Sequence, residues 1–286
     1  MDLTLLLLQV LIIIIAPLVV GLSNGVGRKI TARLQNRRGP PIIQPFYDVG
    51  KLLLKRPLLI NNLQVIFAGA TLLFHTATLA LFVAGGDLII ALFVSGAGSA
   101  CLVMGAFSAR SPYSYIGGQR ELLAILAYEP VLFLVILSIG LESSFLVSDI
   151  GGGLLLSLPL ALLALVPVLV ILLEKSPYDI PTAHQEIITG PYIEYSGPYL
   201  AILEVDRWFH LAFIYGLFTL FIWSDNIAVS VVGKVTIAFV ALFATIIIDN
   251  ITARLTRERM VIFMLTAGVG LVAINLLALY IFRGVI

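Results

Sequence analysis

Between Glu174 and Asp206 the chain concentrates the side chains that could do chemistry: Glu174, Asp179, Glu186, Glu194, Glu204 and Asp206, together with His184. Carboxylates at this density can pass protons or hold cations. A freely solvated loop would carry the same acids, but Ile180, Ile187, Ile188, Ile193 and the tyrosines at 178, 192, 195 and 199 make this stretch too apolar for one. Prolines 177, 181, 191 and 198 break it into short turns and helices, so its acids can point inward from non-helical backbone. In apolar surroundings such groups hold protons more tightly and exchange them near neutral pH.

A second feature lies in an apolar run. Glu129 follows Glu121 by eight residues, about 12 Å along a helix axis. A carboxylate that deep in a bilayer costs on the order of 2.5–3.5 kcal/mol and marks an ion path. Pro130 frees a backbone carbonyl one turn earlier. Glu121 also fits a first-turn glutamate favoured by the helix dipole. His75 and His210 invite a bis-histidine haem reading, but their positions imply different depths, and each fits a hydrogen-bonded core or relay residue. Asp249 reads as an interfacial residue. Cys101 is the single cysteine and by itself builds no iron–sulfur, zinc or disulfide site. Arg28, Lys29, Arg33, Arg37 and Arg38 form a basic segment suited either to anionic lipid or to docking a peripheral protein.

The elements that must position these residues follow from composition. Of 286 residues, 60% are hydrophobic and only 12% charged, with a mean hydropathy of +1.09. This excludes a soluble enzyme, a secreted scaffold and a disordered tail, because too few charges exist to cover a water-facing surface. A formal net charge of +1 names no partner, nucleic acid included.

Runs long enough to cross about 30 Å of hydrocarbon fall near 3–22, 63–84, 88–107, 121–140, 153–173, 208–223, 231–249 and 261–282, the sixth starting near Tyr199 if it is to be long enough. The expected fold is an all-α polytopic membrane protein of about eight transmembrane helices, in one domain spanning 1–286. Continuous leucine-rich runs argue against a β-barrel, whose strands alternate. Fifteen of the 17 Lys and Arg fall on one side of this arrangement, with Lys234 and Arg283 on the other. That side is expected to be cytoplasmic and both termini outside, with Asp2, Asp87, Glu142, Asp149 and Asp225 on the outer face. The first run has neither a basic leader nor a small-residue cleavage site and reads as a retained helix. Outer loops are short, whereas the inner connections 23–62 and 174–207 are long, so function is sought on the inner side. No internal repeat is evident, which argues against a self-sufficient transporter.

Several motifs now occur in order. Arg28-Lys29, Arg37-Arg38-Gly39-Pro40, Gln44-Pro45 and Asp48 with Lys51-Leu52 resemble the first inner loop of the complex I subunit 1 family, the membrane subunit that contacts the peripheral redox arm. Ser111 to Gly118 with Arg120, Tyr128-Glu129, Pro177 to Pro181 and Glu194 to Gly197 match in order and spacing. The resemblance spans essentially the whole chain.

Departures from the quinone-reducing members choose a branch. The linker between Arg37-Arg38-Gly39-Pro40 and Gln44-Pro45 is short. After Pro181 stand Thr182 and His184, with only Glu186 kept from a run of acids, and Glu174 replaces an asparagine. Arg120-Glu121-Leu122 with Glu129-Pro130 resembles the membrane-bound energy-converting [NiFe] hydrogenases of the Ech and formate hydrogenlyase type.

The resemblance implies a subunit without catalytic residues, and without metal or cofactor in this chain. It would anchor a redox module and couple ferredoxin-driven hydrogen chemistry to proton or sodium movement. Iron–sulfur clusters and the nickel–iron centre would sit on partners: [NiFe] hydrogenase large and small subunits and a ferredoxin-like Fe–S subunit, with an antiporter-like membrane subunit alongside. Glu121, Glu129, Glu174, Asp179, Glu186, Glu194, Glu204 and Asp206 would form the ion pathway. Arg28, Arg33, Arg37, Arg38, Asp48 and Lys51 would dock the partner, and Arg110 and Arg120 would tune carboxylate pKa values. The competing readings are the quinone-site subunit of a complex I-type oxidoreductase, a secondary transporter and a passive anchor.

Overall fold

The computed structural model describes residues 3–58, 61–224 and 226–284. Asp2 and Asp225, and the side chains of His184 and Arg283, lie outside the described residues. Among them the chain is helical throughout: α1 (Leu3–Leu34), α2 (Gln44–Leu53), α3 (Asn62–Val83), α4 (Leu88–Ser108), α5 (Pro112–Glu142), α6 (Leu154–Ser157), α7 (Pro159–Leu172), α8 (His184–Ile187), α9 (Pro198–Leu220), α10 (Ile227–Ile251), α11 (Arg257–Phe263) and α12 (Val269–Gly284). A π-helical turn, Met264–Gly268, joins the last two into one rod.

Six of these rods are long and apolar enough to cross a membrane, and α7 is a shorter apolar helix. The eighth, α9, has the length, but Glu204, Asp206 and Arg207 make its inner half polar. The protein is therefore a multi-pass, all-helical membrane protein with about the expected number of spans.

Two boundaries differ from the sequence reading, and both change the inner face. Helix α1 runs on to Leu34, so much of 23–62 is not loop. The basic segment continues a membrane helix past its apolar part, and α2 then lies as a separate short helix with a proline in its first turn. Helix α5 begins at Pro112 rather than near 121. Its first turns, Pro112 to Gln119, are polar and glycine-containing, so hydropathy alone misses them. Arg120 and Glu121 thus stand inside the helix, and the first-turn dipole role for Glu121 does not apply.

Three helix starts, those of α3, α4 and α10, carry side-chain caps. Asp87 accepts from the amides of Ile89 and Ile90, Asn61 from Leu63 and Asn226 from Ala228. The break between α6 and α7 is met differently. Asn275 of α12 accepts from the Leu160 amide at 2.9 Å and donates to the Ser157 carbonyl at 2.8 Å, supplying partners that water cannot supply at that depth.

The buried core is built from α5, α7 and α9, while α1 and α10 expose long rows of Leu, Ile and Val, as lipid-facing helices do. Helix α3 packs against both α4 and α9. The loop 174–197 folds beneath the core: burial pushes the Tyr178 phenol up to about 12 and holds Tyr192 and Tyr195 above the usual value as well. Gly190, at φ +55°, makes the turn that returns this loop toward α5.

Candidate functional site

Helix α9 presents Asp206 and His210 four residues apart, hence on one face. That face meets α3 at His75. His75 Nδ1 lies 2.8 Å from Asp206 Oδ1, and both residues are at most 5% exposed. The His75 and His210 rings stack with centroids 4.2 Å apart and 12° between planes. The two histidines are therefore at one depth, which corrects the reading that separated them. Close approach of α4 is part of the arrangement: a Cβ on Gly98 would stand 2.9 Å from His75 Nε2.

This trio lines a cavity of about 40 Å³ together with Ser99, Tyr128, Glu121, Glu174, Tyr192 and Arg207. By volume it has room for roughly two or three waters. Ser99 Oγ and Tyr128 OH lie 3.3 Å apart at its wall. Arg207 donates to Glu174 at 2.8 Å, approaches Glu204 at 3.9 Å and covers the Tyr192 ring at 4.9 Å. One guanidinium thus pairs with Glu174 and approaches Glu204, in a cavity that Glu121 and Asp206 also line.

Of the eight expected pathway acids, the cavity gathers Glu121, Glu174 and Asp206. Glu204 opens instead on a neighbouring cavity of about 170 Å³, walled by Leu52, Trp208, Leu211, Leu242 and Ile246 between α1, α2, α9 and α10. Asp179 and Glu186 belong to a separate inner-face group. Arg254 Nε donates to Asp179 at 2.8 Å, and Glu186 lies 2.6 Å from Arg120 and 3.7 Å from Arg254. The hydrogen bond from Arg254 to Asp179 holds its guanidinium above the usual value. Glu194 stands apart beside Gln64, Tyr195 and Tyr199. Glu129 does not line the cavity; its carboxylate rests against Gly96 of α4, where a Cβ would be 2.7 Å from Oε1.

The basic residues also divide. Asp48 receives Arg28 at 3.1 Å and lies 3.9 Å from Lys51. Arg28, Arg37, Arg38 and Lys175 wall an open cleft of about 340 Å³, and Arg33 is exposed nearby. Lys175 binds Asp249 at 3.0 Å, which ties α7 to α10. Arg120 pairs with Glu186, whereas Arg110 is exposed at the end of α4 and enters no ion pair among the described residues. The two arginines expected to tune carboxylates are therefore not equivalent. Arg207, His75 and His210, absent from the expected site, are central to it. The four-residue spacing of Asp206 and His210 is a signal that could have found one of them but was not used; the placement of His75 had no local signal.

Among the described residues no group of three or more His, Cys, Asp or Glu is placed to hold a metal ion. Cys101 is free and buried.

The family model described as NADH dehydrogenase matches residues 7–280. The chain belongs to this family. It is the family of complex I subunit 1, as the ordered motifs suggested. Hydrogenase-4 component C of Escherichia coli (strain K12) is 30% identical over 216 residues, covering 68% of this chain and 67% of that one. NADH-ubiquinone oxidoreductase chain 1 of Dictyostelium citrinum is 26% identical over 260 residues, covering 79% and 78%. Among solved structures, a chain of the membrane-bound sulfane sulfur reductase, an archaeal respiratory membrane complex, superposes with a TM-score of 0.84 at 26% identity, over 95% of this chain and 98% of that one. These relatives are components of multisubunit assemblies, and this chain is a membrane subunit of that kind.

Proposed function

We propose that this subunit anchors the peripheral module of an energy-converting [NiFe] hydrogenase-type complex in the cell membrane and couples its electron chemistry to proton or sodium translocation. The observation that carries the reading is the inner cavity, where Glu121, Glu174 and Asp206 share one small space with Arg207. Buried carboxylates exceeding their cationic partners must hold protons or cations to stay in a low-dielectric interior. A change in field from redox events on a docked module would shift how many they hold.

The partners in this reading are [NiFe] hydrogenase large and small subunits and a ferredoxin-like Fe–S subunit, which bear the clusters and the nickel–iron centre. An antiporter-like membrane subunit receives the ions. Support for the hydrogenase branch comes from the Arg120-Glu121-Leu122 and Glu129-Pro130 pattern and from the similarity to hydrogenase-4 component C. The docking surface is assigned to Arg28, Arg33, Arg37, Arg38, Asp48 and Lys51, and the passage to Glu121, Glu174, Asp206 and Glu204. Asp179 and Glu186 stay in the separate group held by Arg254 and Arg120, and Glu129 and Glu194 lie outside the inner cavity.

A second reading has its own observation. The 170 Å³ cavity between α1, α2, α9 and α10 combines apolar walls with Arg28 and Arg207, as a quinone headgroup site would. Purification of the intact complex through this chain, followed by metal analysis and quinone extraction, separates the two. Nickel with iron and no quinone supports the hydrogenase reading; quinone without nickel replaces it with a complex I-type one.

A further inference from the structure

His75 is left over by this account. Its Nδ1 is committed to Asp206, and its Nε2 is buried with no hydrogen-bond partner among the described residues. An imidazole that donates Nδ1–H to a carboxylate carries its lone pair on Nε2, and a buried acceptor without a donor is costly. His75 lines the cavity, so the lone pair has access to whatever proton that cavity delivers.

We propose that the His75–Asp206 pair is a proton-accepting site on the wall of the inner cavity, taking one proton at His75 Nε2 to become an imidazolium held by the Asp206 carboxylate. The proton forms an N–H bond at Nε2 and leaves an acid or hydronium in the cavity, and Nδ1–H stays with Asp206 throughout. The groups facing the pair are His210 and Arg207 from α9, Glu121 and Tyr128 from α5, Glu174 after α7 and Tyr192 from the loop. His210 limits the load to one proton, since a second imidazolium stacked at 4.2 Å would repel the first. Arg207 is engaged by Glu174 and so leaves Asp206 to His75. This deepens the proposed passage and rests on it: an imidazole accepts a proton and not a sodium ion, so this point of the route handles H⁺.

The test is solid-state nitrogen NMR of the full chain in lipid bilayers with ¹⁵N-labelled histidine, which yields signals from only three residues. The signals that vanish in His75→Gln and in His184→Gln assign all three histidines, and the titration itself is read in the wild-type chain, where the His210 ring still stacks on His75. Between about pH 5 and pH 9, His75 should pass between a singly and a doubly protonated ring. Asp206→Asn should move that midpoint by at least about one pH unit, a tenfold change in proton affinity. A His75 ring fixed in one protonation state across the range overturns the proposal, as does a midpoint indifferent to Asp206→Asn. Should that variant not fold, the wild-type titration alone decides. A titrating His75 alongside an unchanged ion-to-electron ratio in Glu121→Gln complexes keeps the pair and removes the passage. A static His75 with a lowered ratio does the reverse.

Discussion

The inner and outer halves of this membrane subunit solve the problem of burying polar groups in opposite ways. At the outer side, polar side chains complete helix ends. Asp87 caps α4, Asn226 caps α10, Asn275 bridges the break between α6 and α7, and Lys234 lies 5.3 Å over the Trp223 ring as an interfacial anchor. Each of these has a structural partner. At the inner side, carboxylates outnumber the arginine among them, and His75 Nε2 and Arg120 Nε are buried without hydrogen-bond partners among the described residues. Satisfied groups hold a fold together, whereas an unsatisfied, charge-dense cluster costs stability and is tolerated where something must bind or move.

Four substitutions break or sharpen this contrast. The largest effect is expected for Arg207→Leu, which removes the guanidinium bonded to Glu174 and leaves the cavity carboxylates without that charge. Loss of one partner of a mostly buried pair costs about 3 kcal/mol or more, so the subunit should fail to accumulate in membranes, with Arg207→Lys partly rescuing it. A stable, fully assembled Arg207→Leu complex would show that the inner cluster is not held by this cation.

Next comes Asn275→Leu at the outer side. Two backbone amides and one carbonyl at the helix break lose their partner, at a cost of about 2 kcal/mol. The thermal midpoint of the purified subunit should fall while ions moved per electron stay constant in whatever complex assembles. A changed ratio would erase the distinction between the two halves. Glu121→Gln should behave inversely, assembling normally but slowing ion movement about tenfold or more at unchanged electron input. Proteoliposomes containing the whole complex give both readings at once.

The smallest effect belongs to Arg28→Gln. Its bond to Asp48 is half exposed, so the stability change should stay below about 1 kcal/mol. The same variant should release the peripheral module at lower salt than wild type, because screening competes with a docking surface that has lost one charge. Equal salt resistance would remove Arg28 from that surface.

Much of the architecture was legible without coordinates, because lipid makes apolar length the dominant signal. The long runs, the bias of Lys and Arg to one side and the proline-broken acidic loop are all properties of residues near one another in the chain. Helix ends were less legible. Helix α5 starts at Pro112 and α1 continues to Leu34 because their inner turns are polar, and a membrane helix that projects beyond hydrocarbon leaves no trace in hydropathy.

The site divides along the same line. Acidic residues on one stretch of chain could be listed, yet which of them meet was decided by packing. Glu174, Glu121 and Asp206 converge because α5, α7 and α9 cross there, while Asp179 and Glu186 are drawn aside by Arg254 and Arg120. His75 is 131 residues from Asp206, and no local pattern encodes a contact between helices so far apart. The sequence by itself determined that this is a helical membrane protein with most of its basic residues and one dense acidic loop on the same side, since composition and the apolar runs suffice for that. Only the tertiary structure decided that a buried histidine, an aspartate and a single arginine organise that face, because pairing across helices depends on rotation and depth, which apolar periodicity leaves free.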